Sequence, residues 1–266
     1  MKRIFCFAAG MVSLSATAAI STQAGTSGTL TADQIIERNI AARGGLDAWR
    51  SVGTLTMSGT LEAGGKKNTA LPFVLKLKRS NKSRLEIKFA DQMAVQVYDG
   101  TQGWKVRPFL GRNEVEPYTA AESKAAESWQ ELDGPLIDHA NKGTRVSLVG
   151  EEAVEGRRAY KLKLTLKSGE ERHLWVDAAN FLEVKTDGEP RKMDGKLRNV
   201  AIYYRDYKAE QGLNVPHTFE TVVEGFKQAQ PHKMSIERVT VNPPLDDKLF
   251  TRPELPVAKA SIQQGR

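Results

Sequence analysis

Three apolar side chains and one cation form the most informative segment of the sequence. Phe73, Leu75 and Leu77 recur at every second position, and Arg79 continues the same row. A period of two places these four side chains on one face of a β-strand. A charge in phase with an apolar row is either a solvated residue at a strand end or a functional charge at the mouth of an apolar cavity. Arg79 is therefore a candidate polar group of an apolar ligand site, with a solvated strand-end residue as the alternative.

Residues suited to catalysis are present, but their spacing is not that of an active site. The histidines at positions 139, 173, 217 and 232 do not form a His-Glu-x-x-His or similar metal-binding spacing, and no Gly-x-Ser-x-Gly elbow offers a nucleophile. The single cysteine, Cys6, lies in the N-terminal apolar run, which excludes cysteine-ligated zinc from the rest of the chain. We therefore expect no enzyme, no metal and no cofactor.

The N-terminal residues have the pattern of an export signal. Lys2 and Arg3 precede an apolar run, and small residues suited to signal peptidase follow it. The apolar run is too short to span a bilayer of about 30 Å. The sequence predicts a signal peptide at residues 1–24, one periplasmic domain at 25–256 and a flexible tail at 257–266.

The chain is basic, with a formal net charge of +7. Such a charge is typical of transient contact with an anionic membrane surface, and it is equally compatible with an ordinary solvated surface. The sequence has no ribonucleoprotein, helix-turn-helix or zinc-finger pattern, so no nucleic-acid partner is expected.

Helical patterns occur at the start and in the middle of the domain. Thr31 and Gln34 have the spacing of a capping box ahead of an apolar stripe, and Gly44 and Gly45 follow it. This predicts a helix over 31–44, followed by an extra turn at 46–49. Two further short helices are predicted over 119–129 and 133–142.

Most of the remaining sequence predicts β-strands, with short turns between them. The candidate strands are 54–62, 71–79, 84–89, 93–98, 103–107, 145–149, 159–166, 172–176, 181–186, 197–207, 215–223 and 233–241. Short connections make neighbouring strands antiparallel, and a sheet of this width must curl. We expect a mainly β (α+β) fold: a half-barrel of about eleven strands with an apolar interior covered by short helices.

Three short motifs stand out along this pattern of strands. Lys78-Arg79-Ser80-Asn81 closes an apolar strand, and Asp99-Gly100 stands four to five residues before Trp104. The third is the late segment Leu249-Phe250-Thr251-Arg252-Pro253. Together they resemble the motifs of LolA-like periplasmic lipoprotein carriers, which close with a Phe-Thr-x-Pro segment. The chain departs from the pattern at Ser80, where the carriers usually have proline, and it is longer than a minimal carrier.

The resemblance implies a carrier that shields lipoprotein acyl chains, or another lipid, in a half-barrel cavity. It also implies that Arg79 ties a helical lid to the barrel and gives way when cargo enters. Partners would be the acyl chains and the inner- and outer-membrane sorting proteins, and the carrier would be monomeric. An alternative is a lipid sensor that regulates a protein partner, as do the sigma-factor regulators that share this half-barrel.

The candidate ligand-binding residues are one cation and twelve apolar side chains. Ordinary core packing is the competing interpretation for each apolar residue, and solvent exposure is the competing one for the cation. The residues are Arg79, Phe73, Leu75, Leu77, Leu85, Ile87, Val95, Val97, Trp104, Leu136, Ile137, Leu162 and Leu164.

Overall fold

A computed structural model describes residues 30–64, 69–129, 131–225 and 230–254. The predicted signal peptide and the predicted tail lie outside these residues. The strands are β1 (Thr54–Glu62), β2 (Ala70–Lys78), β3 (Lys82–Phe89), β4 (Gln92–Tyr98), β5 (Gly103–Arg107), β6 (Arg112–Pro117), β7 (Arg145–Val154), β8 (Arg157–Thr165), β9 (Glu171–Asp177), β10 (Glu183–Met193), β11 (Lys196–Glu210), β12 (Leu213–Val223) and β13 (His232–Val241).

All of these strands belong to one open, curled antiparallel sheet, which forms a half-barrel. Its order is β6-β5-β4-β3-β2-β1-β13-β12-β11-β10-β9-β8-β7, so only the β1–β13 pair joins strands that are distant in sequence. Every other neighbour is a hairpin partner or the next strand along the chain. The mainly β half-barrel expected from the sequence is confirmed.

The described residues contain thirteen strands, whereas about eleven were expected. No strand was predicted at β6, a mostly exposed edge strand that ends in Pro117. Its sequence is polar because neither face is deeply buried, and an edge strand tolerates proline since one side has no ladder hydrogen bonds to lose.

The described ranges contain three α-helices: α1 (Ala32–Ala42), α2 (Leu46–Arg50) and α3 (Ala120–Trp129). The predicted capping box of α1 is confirmed, with Thr31 and Gln34 bonding each other's backbone. The helix predicted over 133–142 is wrong, because this segment consists of turns. Asp138, in the middle of the segment, has a φ of 51°, which a right-handed helix does not allow.

Strand register assigns each side chain to a face. Phe73 pairs with Ile87, Leu75 with Leu85, and Leu77 with Leu55 on β1. We call the face that carries these side chains the inner face and the opposite one the outer face. The inner face packs against α2 and its following turn, and against the segment 131–144. We call these two covering pieces, residues 46–53 and 131–144, the cover.

Candidate functional site

The inner face and the cover share one apolar cluster. The sheet contributes Phe73 and Leu77, which are 3% and 6% exposed, with the half-buried Leu75, Leu85 and Ile87 packed around them. The side chains from the cover that enter this cluster are Trp49, Val52, Leu132 and Ile137. In this structure the apolar side chains of the cover therefore occupy the inner face, where the family resemblance implies a cavity.

Arg79 joins the sheet to both pieces of the cover. Its guanidinium donates from Nε to the carbonyl oxygen of Val52 (2.7 Å) and from Nη2 to that of Trp49 (2.6 Å). Its Nη1 donates to Asp133 Oδ2 at 2.8 Å. The first two acceptors are carbonyl groups at and after the end of α2, where a helix leaves backbone oxygens without their usual helical partners. The Trp49 oxygen also accepts from the backbone N–H of Val52 at 3.2 Å. All three of these hydrogen bonds end on the cover.

Asp133 is the buried centre of this polar group. Its side chain is only 3% exposed, and its second oxygen, Oδ1, accepts from Lys142 Nζ at 2.6 Å. Lys142 also donates to Glu131 Oε2 at 3.0 Å. Burial raises the pKa of Glu131, and the ammonium of Lys142 opposes that shift. We call Arg79, Asp133 and Lys142 the latch.

A second cation, Arg43 at the end of α1, also holds the cover. Arg43 is 6% exposed, lies over the ring of Trp49 at 4.4 Å, and donates to the backbone oxygen of Asp133 at 2.8 Å. It pairs with Glu183 at 3.3 Å. The approach requires a glycine at position 134, since a Cβ there would lie 3.1 Å from Arg43 Nη1.

Glu183 also accepts a hydrogen bond from the hydroxyl of Tyr207 at 3.0 Å. Burial raises the pKa of Tyr207 well above its ordinary value, and the charge of Glu183 adds to the shift. Tyr207 is therefore a hydrogen-bond donor at neutral pH. Through Glu183, Arg43 and Asp133, strands β10 and β11 are connected to the latch.

The structure brings only part of the predicted set together. Phe73, Leu75, Leu77, Leu85 and Ile87 share the inner face, and the buried Ile137 packs on them from the cover. Leu136 is also fully buried in the cover segment. Leu162 and Leu164 are buried on β8, where they face Leu174 and Arg172 of β9, well away in the sheet order from β2 and β3.

Val95, Val97 and Trp104 lie on the outer face. Val97 pairs with Trp104 across β4 and β5, in the row that also contains Arg84 and Glu86 of β3. They pack against Phe250 from a 3-10 helix at Asp247–Phe250, which Asp246 caps. These three residues do not share a surface with Phe73.

Two of the motifs noted in the sequence contact each other at the latch end of the sheet. Asp99 Oδ1 accepts from the backbone N–H groups of Thr101 and Gln102, both at 2.7 Å, which closes a tight turn. Gly100 in this turn has a φ of 102°, and a Cβ there would meet the carbonyl oxygen of Ser80 at 2.7 Å. The Asp-Gly turn thus packs on the residue that follows Arg79.

A groove of about 290 Å³ runs beside the cover, between α1 and residues 138–141. Ile36, Ile40, Leu46 and Ala140 contribute its apolar lining. Ile40 and Leu46 also pack against the inner cluster, so the groove is separated from the inner face only by the cover. Acidic Asp33 and Glu37 stand at its rim on α1.

A larger cavity of about 510 Å³ lies elsewhere, where β10 separates from β9, and charged side chains dominate its lining. Lys161 and Lys185 both lie over the ring of Trp175, at 4.9 and 4.5 Å. Within the part of the chain that the structure describes, no group of three or more His, Cys, Asp or Glu residues could hold a metal ion. No helix of that part has both the length and the hydropathy needed to cross a membrane.

Comparison of the sequence with known families gives a match to part of the chain. A family model described as an uncharacterized protein matches residues 136–256. No match was found among curated protein sequences.

Three solved structures are similar to this chain. A LolA superfamily protein from Nitrosomonas europaea has a TM-score of 0.54 and 16% identity, with 84% of this chain and 98% of that one covered. A DUF1329 family protein from Desulfovibrio piger has a TM-score of 0.55, 15% identity and the same coverage. An outer membrane lipoprotein-sorting protein domain from Vibrio parahaemolyticus has a TM-score of 0.53 and 13% identity, with 81% and 94% covered. This chain therefore has the LolA-like fold that its motifs indicated.

Proposed function

We propose that this protein is a periplasmic carrier that binds an acyl chain of a lipoprotein or another lipid on its inner face, in exchange for the cover. The observation that carries the proposal is Arg79, whose three side-chain hydrogen bonds all end on the cover. A guanidinium that bonded only its own hairpin would have no such role. The apolar residues beneath the cover, Phe73, Leu75, Leu77, Leu85 and Ile87, form the proposed chain-binding surface.

The comparisons support the proposal at the level of the fold. One similar structure is named as a lipoprotein-sorting domain, and another belongs to the LolA superfamily. The predicted signal peptide is consistent with a periplasmic location. Docking to inner- and outer-membrane sorting proteins, and a monomeric state, remain predictions.

The exchange is reversible in principle because two sets of apolar groups compete for the same surface. An acyl chain gains about 0.8 kcal/mol for each methylene that it buries on the inner face. The cover gains from its hydrogen bonds with Arg79 and from the burial of Trp49, Val52, Leu132 and Ile137. Cargo therefore displaces the cover only when it buries enough methylenes to outweigh these contacts, and the cover can release a chain that is too short or partly withdrawn.

The groove between α1 and residues 138–141 is the proposed route of access. Its apolar lining suits the end of an alkyl chain, and its wall at 138–141 belongs to the cover. A chain end that widens this groove would displace residues 138–141 and reach the inner cluster, which Ile40 and Leu46 of the groove lining already touch.

Native mass spectrometry of the protein purified from the periplasm, before and after delipidation, tests this function. The expected result is a mass increment equal to a lipid or an acylated peptide, which delipidation removes. A stoichiometric protein partner with no lipid would instead favour a regulatory module. Lipid-free protein that also fails to take up an added fatty acid would contradict the proposal.

Replacing Arg79 with leucine tests the latch. The Arg79→Leu variant is expected to fold, to lose about 2 kcal/mol of unfolding free energy, and to bind a fluorescent fatty acid more tightly, because the cover loses three hydrogen bonds. Denaturant titration and probe titration measure the two effects. Unchanged probe affinity would show that Arg79 has a structural role only and does not control ligand binding.

Arg84 provides the matched control. It lies on β3 in the outer-face row, and it donates to Glu86 and to the carbonyl oxygen of Leu249 rather than to the cover. The Arg84→Leu variant should therefore lose some stability without any change in probe affinity.

A further inference from the structure

The strongest feature that the proposed function leaves unexplained is an exposed apolar tip. Among the described residues, six large hydrophobic side chains are exposed, and four of them lie on two neighbouring hairpins. Phe89 and Met93, 45% and 46% exposed, flank the β3–β4 turn. Phe109 and Leu110, 45% and 56% exposed, belong to a 3-10 helix at Pro108–Leu110 that joins β5 to β6.

The two turns form one surface. Strands β3 to β6 are antiparallel neighbours, so the β3–β4 and β5–β6 turns lie at the same end of the sheet. The rings of Phe89 and Phe109 are 6.4 Å apart, which brings the two tips into contact. Arg79 and the Asp99-Gly100 turn are at the other end of these strands, so the tip is remote from the latch. Exposed apolar side chains grouped in this way mark an interaction site.

Charges near the tip indicate what the surface contacts. Arg107 and Arg112 face each other across β5 and β6, immediately below the apolar apex Pro108–Leu110. The Arg112 side chain is 54% exposed. Glu116, which pairs with both arginines at 2.7 and 3.3 Å, lies farther from the apex, as does the exposed Glu114. Around the β3–β4 turn, Lys88 and Asp91 are both exposed.

We propose that this tip inserts into the interfacial region of a lipid bilayer, and that the occupant is the membrane rather than a protein. The apolar apex would enter the acyl boundary while the exposed Arg112 stays at the level of the lipid phosphates, an arrangement in which a long cationic side chain keeps its charge hydrated. An exposed apolar apex with a cation directly below it matches the order of layers in a bilayer, where acyl chains lie beneath anionic phosphates. The proposal adds a membrane-docking surface to the proposed carrier. It rests on the proposed function only for the reason why the protein would dock, because membrane binding itself can be tested without cargo.

Vesicle flotation of the full-length protein with phosphatidylcholine vesicles containing phosphatidylglycerol tests the proposal. The unsubstituted protein is expected to float with the vesicles. The double variant Phe109→Ser, Leu110→Ser should bind them at least about tenfold more weakly, because two large apolar side chains no longer enter the bilayer. The Val149→Ser variant is the control, since Val149 is 55% exposed on the edge strand β7. It should bind as the unsubstituted protein does.

Failure of this proposal and failure of the carrier function give different results. The double variant should bind a soluble fatty acid probe with unchanged affinity, because the inner face is untouched. Equal flotation of the double variant and the unsubstituted protein would overturn the proposal, as would an unsubstituted protein that does not float. Capture of a protein partner through Phe109 in the absence of vesicle binding would also overturn it.

The Arg112→Gln variant tests the cationic residues separately. It should bind anionic vesicles more weakly than the unsubstituted protein and bind pure phosphatidylcholine vesicles equally well, because it removes one charge and no apolar surface. Unchanged binding to anionic vesicles would overturn the role assigned to Arg112.

Discussion

Replacing Asp133 with asparagine is expected to lower the free energy of unfolding by about 3 kcal/mol, because removing one member of a buried charge group leaves its partners uncompensated. The carboxylate is only 3% exposed and accepts from Arg79 at 2.8 Å and from Lys142 at 2.6 Å. An amide of the same size keeps one acceptor but turns an N–H group toward a cation. Denaturant titration measures the loss, and a fatty acid probe should bind more tightly to the inner face because the cover is held less firmly.

Asp138 is a matched control within the same segment of the cover. It pairs with Arg50 at 2.6 Å, but the two side chains are 23% and 49% exposed. The pair is bidentate, since Arg50 Nε also donates to Asp138 Oδ2 at 2.9 Å, but solvent screening limits its contribution. Asparagine tolerates the positive φ at this position. Asp138→Asn should therefore cost about 1 kcal/mol or less, well below the loss expected for Asp133→Asn, with a correspondingly smaller effect on probe affinity. Equal effects of the two substitutions would show that Asp133 is not a special centre of the latch.

The second large effect is expected for Trp49→Ala, at about 3 to 5 kcal/mol of unfolding free energy. Trp49 is 1% exposed, packs in the inner cluster, and donates its indole N–H to the carbonyl oxygen of Arg43 at 3.0 Å. Its removal leaves an apolar cavity against the proposed chain-binding surface, and such cavities accept apolar ligands. A medium-chain fatty acid should therefore raise the melting temperature of the variant by more than it raises that of the unsubstituted protein.

Trp104 separates this effect from a general loss of packing. It lies on β5 and faces outward, where it packs against Phe250 rather than against the inner cluster that contains Trp49. The Trp104→Ala variant should be destabilised without being rescued by fatty acid. If the fatty acid rescued both variants, the inner face would have no particular affinity for acyl chains.

The strands could be predicted from the sequence because hairpins are local. The two-residue periodicity and the turn residues predict the bounds of β1 and β5 correctly. The predicted bounds of β2 to β4 differ from those in the structure by one or two residues. The segment 131–144 could not be predicted in this way. Its conformation depends on Arg79 and Arg43, which are 54 and 90 residues away from Asp133 in the chain.

The candidate site was only partly predictable for a related reason. Both faces of β4 bear buried side chains, with Ala94 and Tyr98 on one and Val95 and Val97 on the other, so its hydropathy does not indicate which row faces the cover. The two-residue turn between Phe89 and Gln92 decides it, because it pairs those residues and places Ala94 in the row of Ile87. Arg79 was identifiable because it continues an apolar row, whereas its acceptors on the cover carried no comparable signal in the sequence.

The central claim is that an acyl chain replaces the cover on the inner face. Amide hydrogen exchange with and without saturating fatty acid tests it most directly. The backbone bonds within 138–144, such as Thr144 N–H to the carbonyl oxygen of His139 at 2.8 Å, should open when the chain binds. The account predicts faster exchange across 131–144 in the bound protein while β2 and β3 stay protected. Bound fatty acid with unchanged or slower exchange across 131–144 would contradict it.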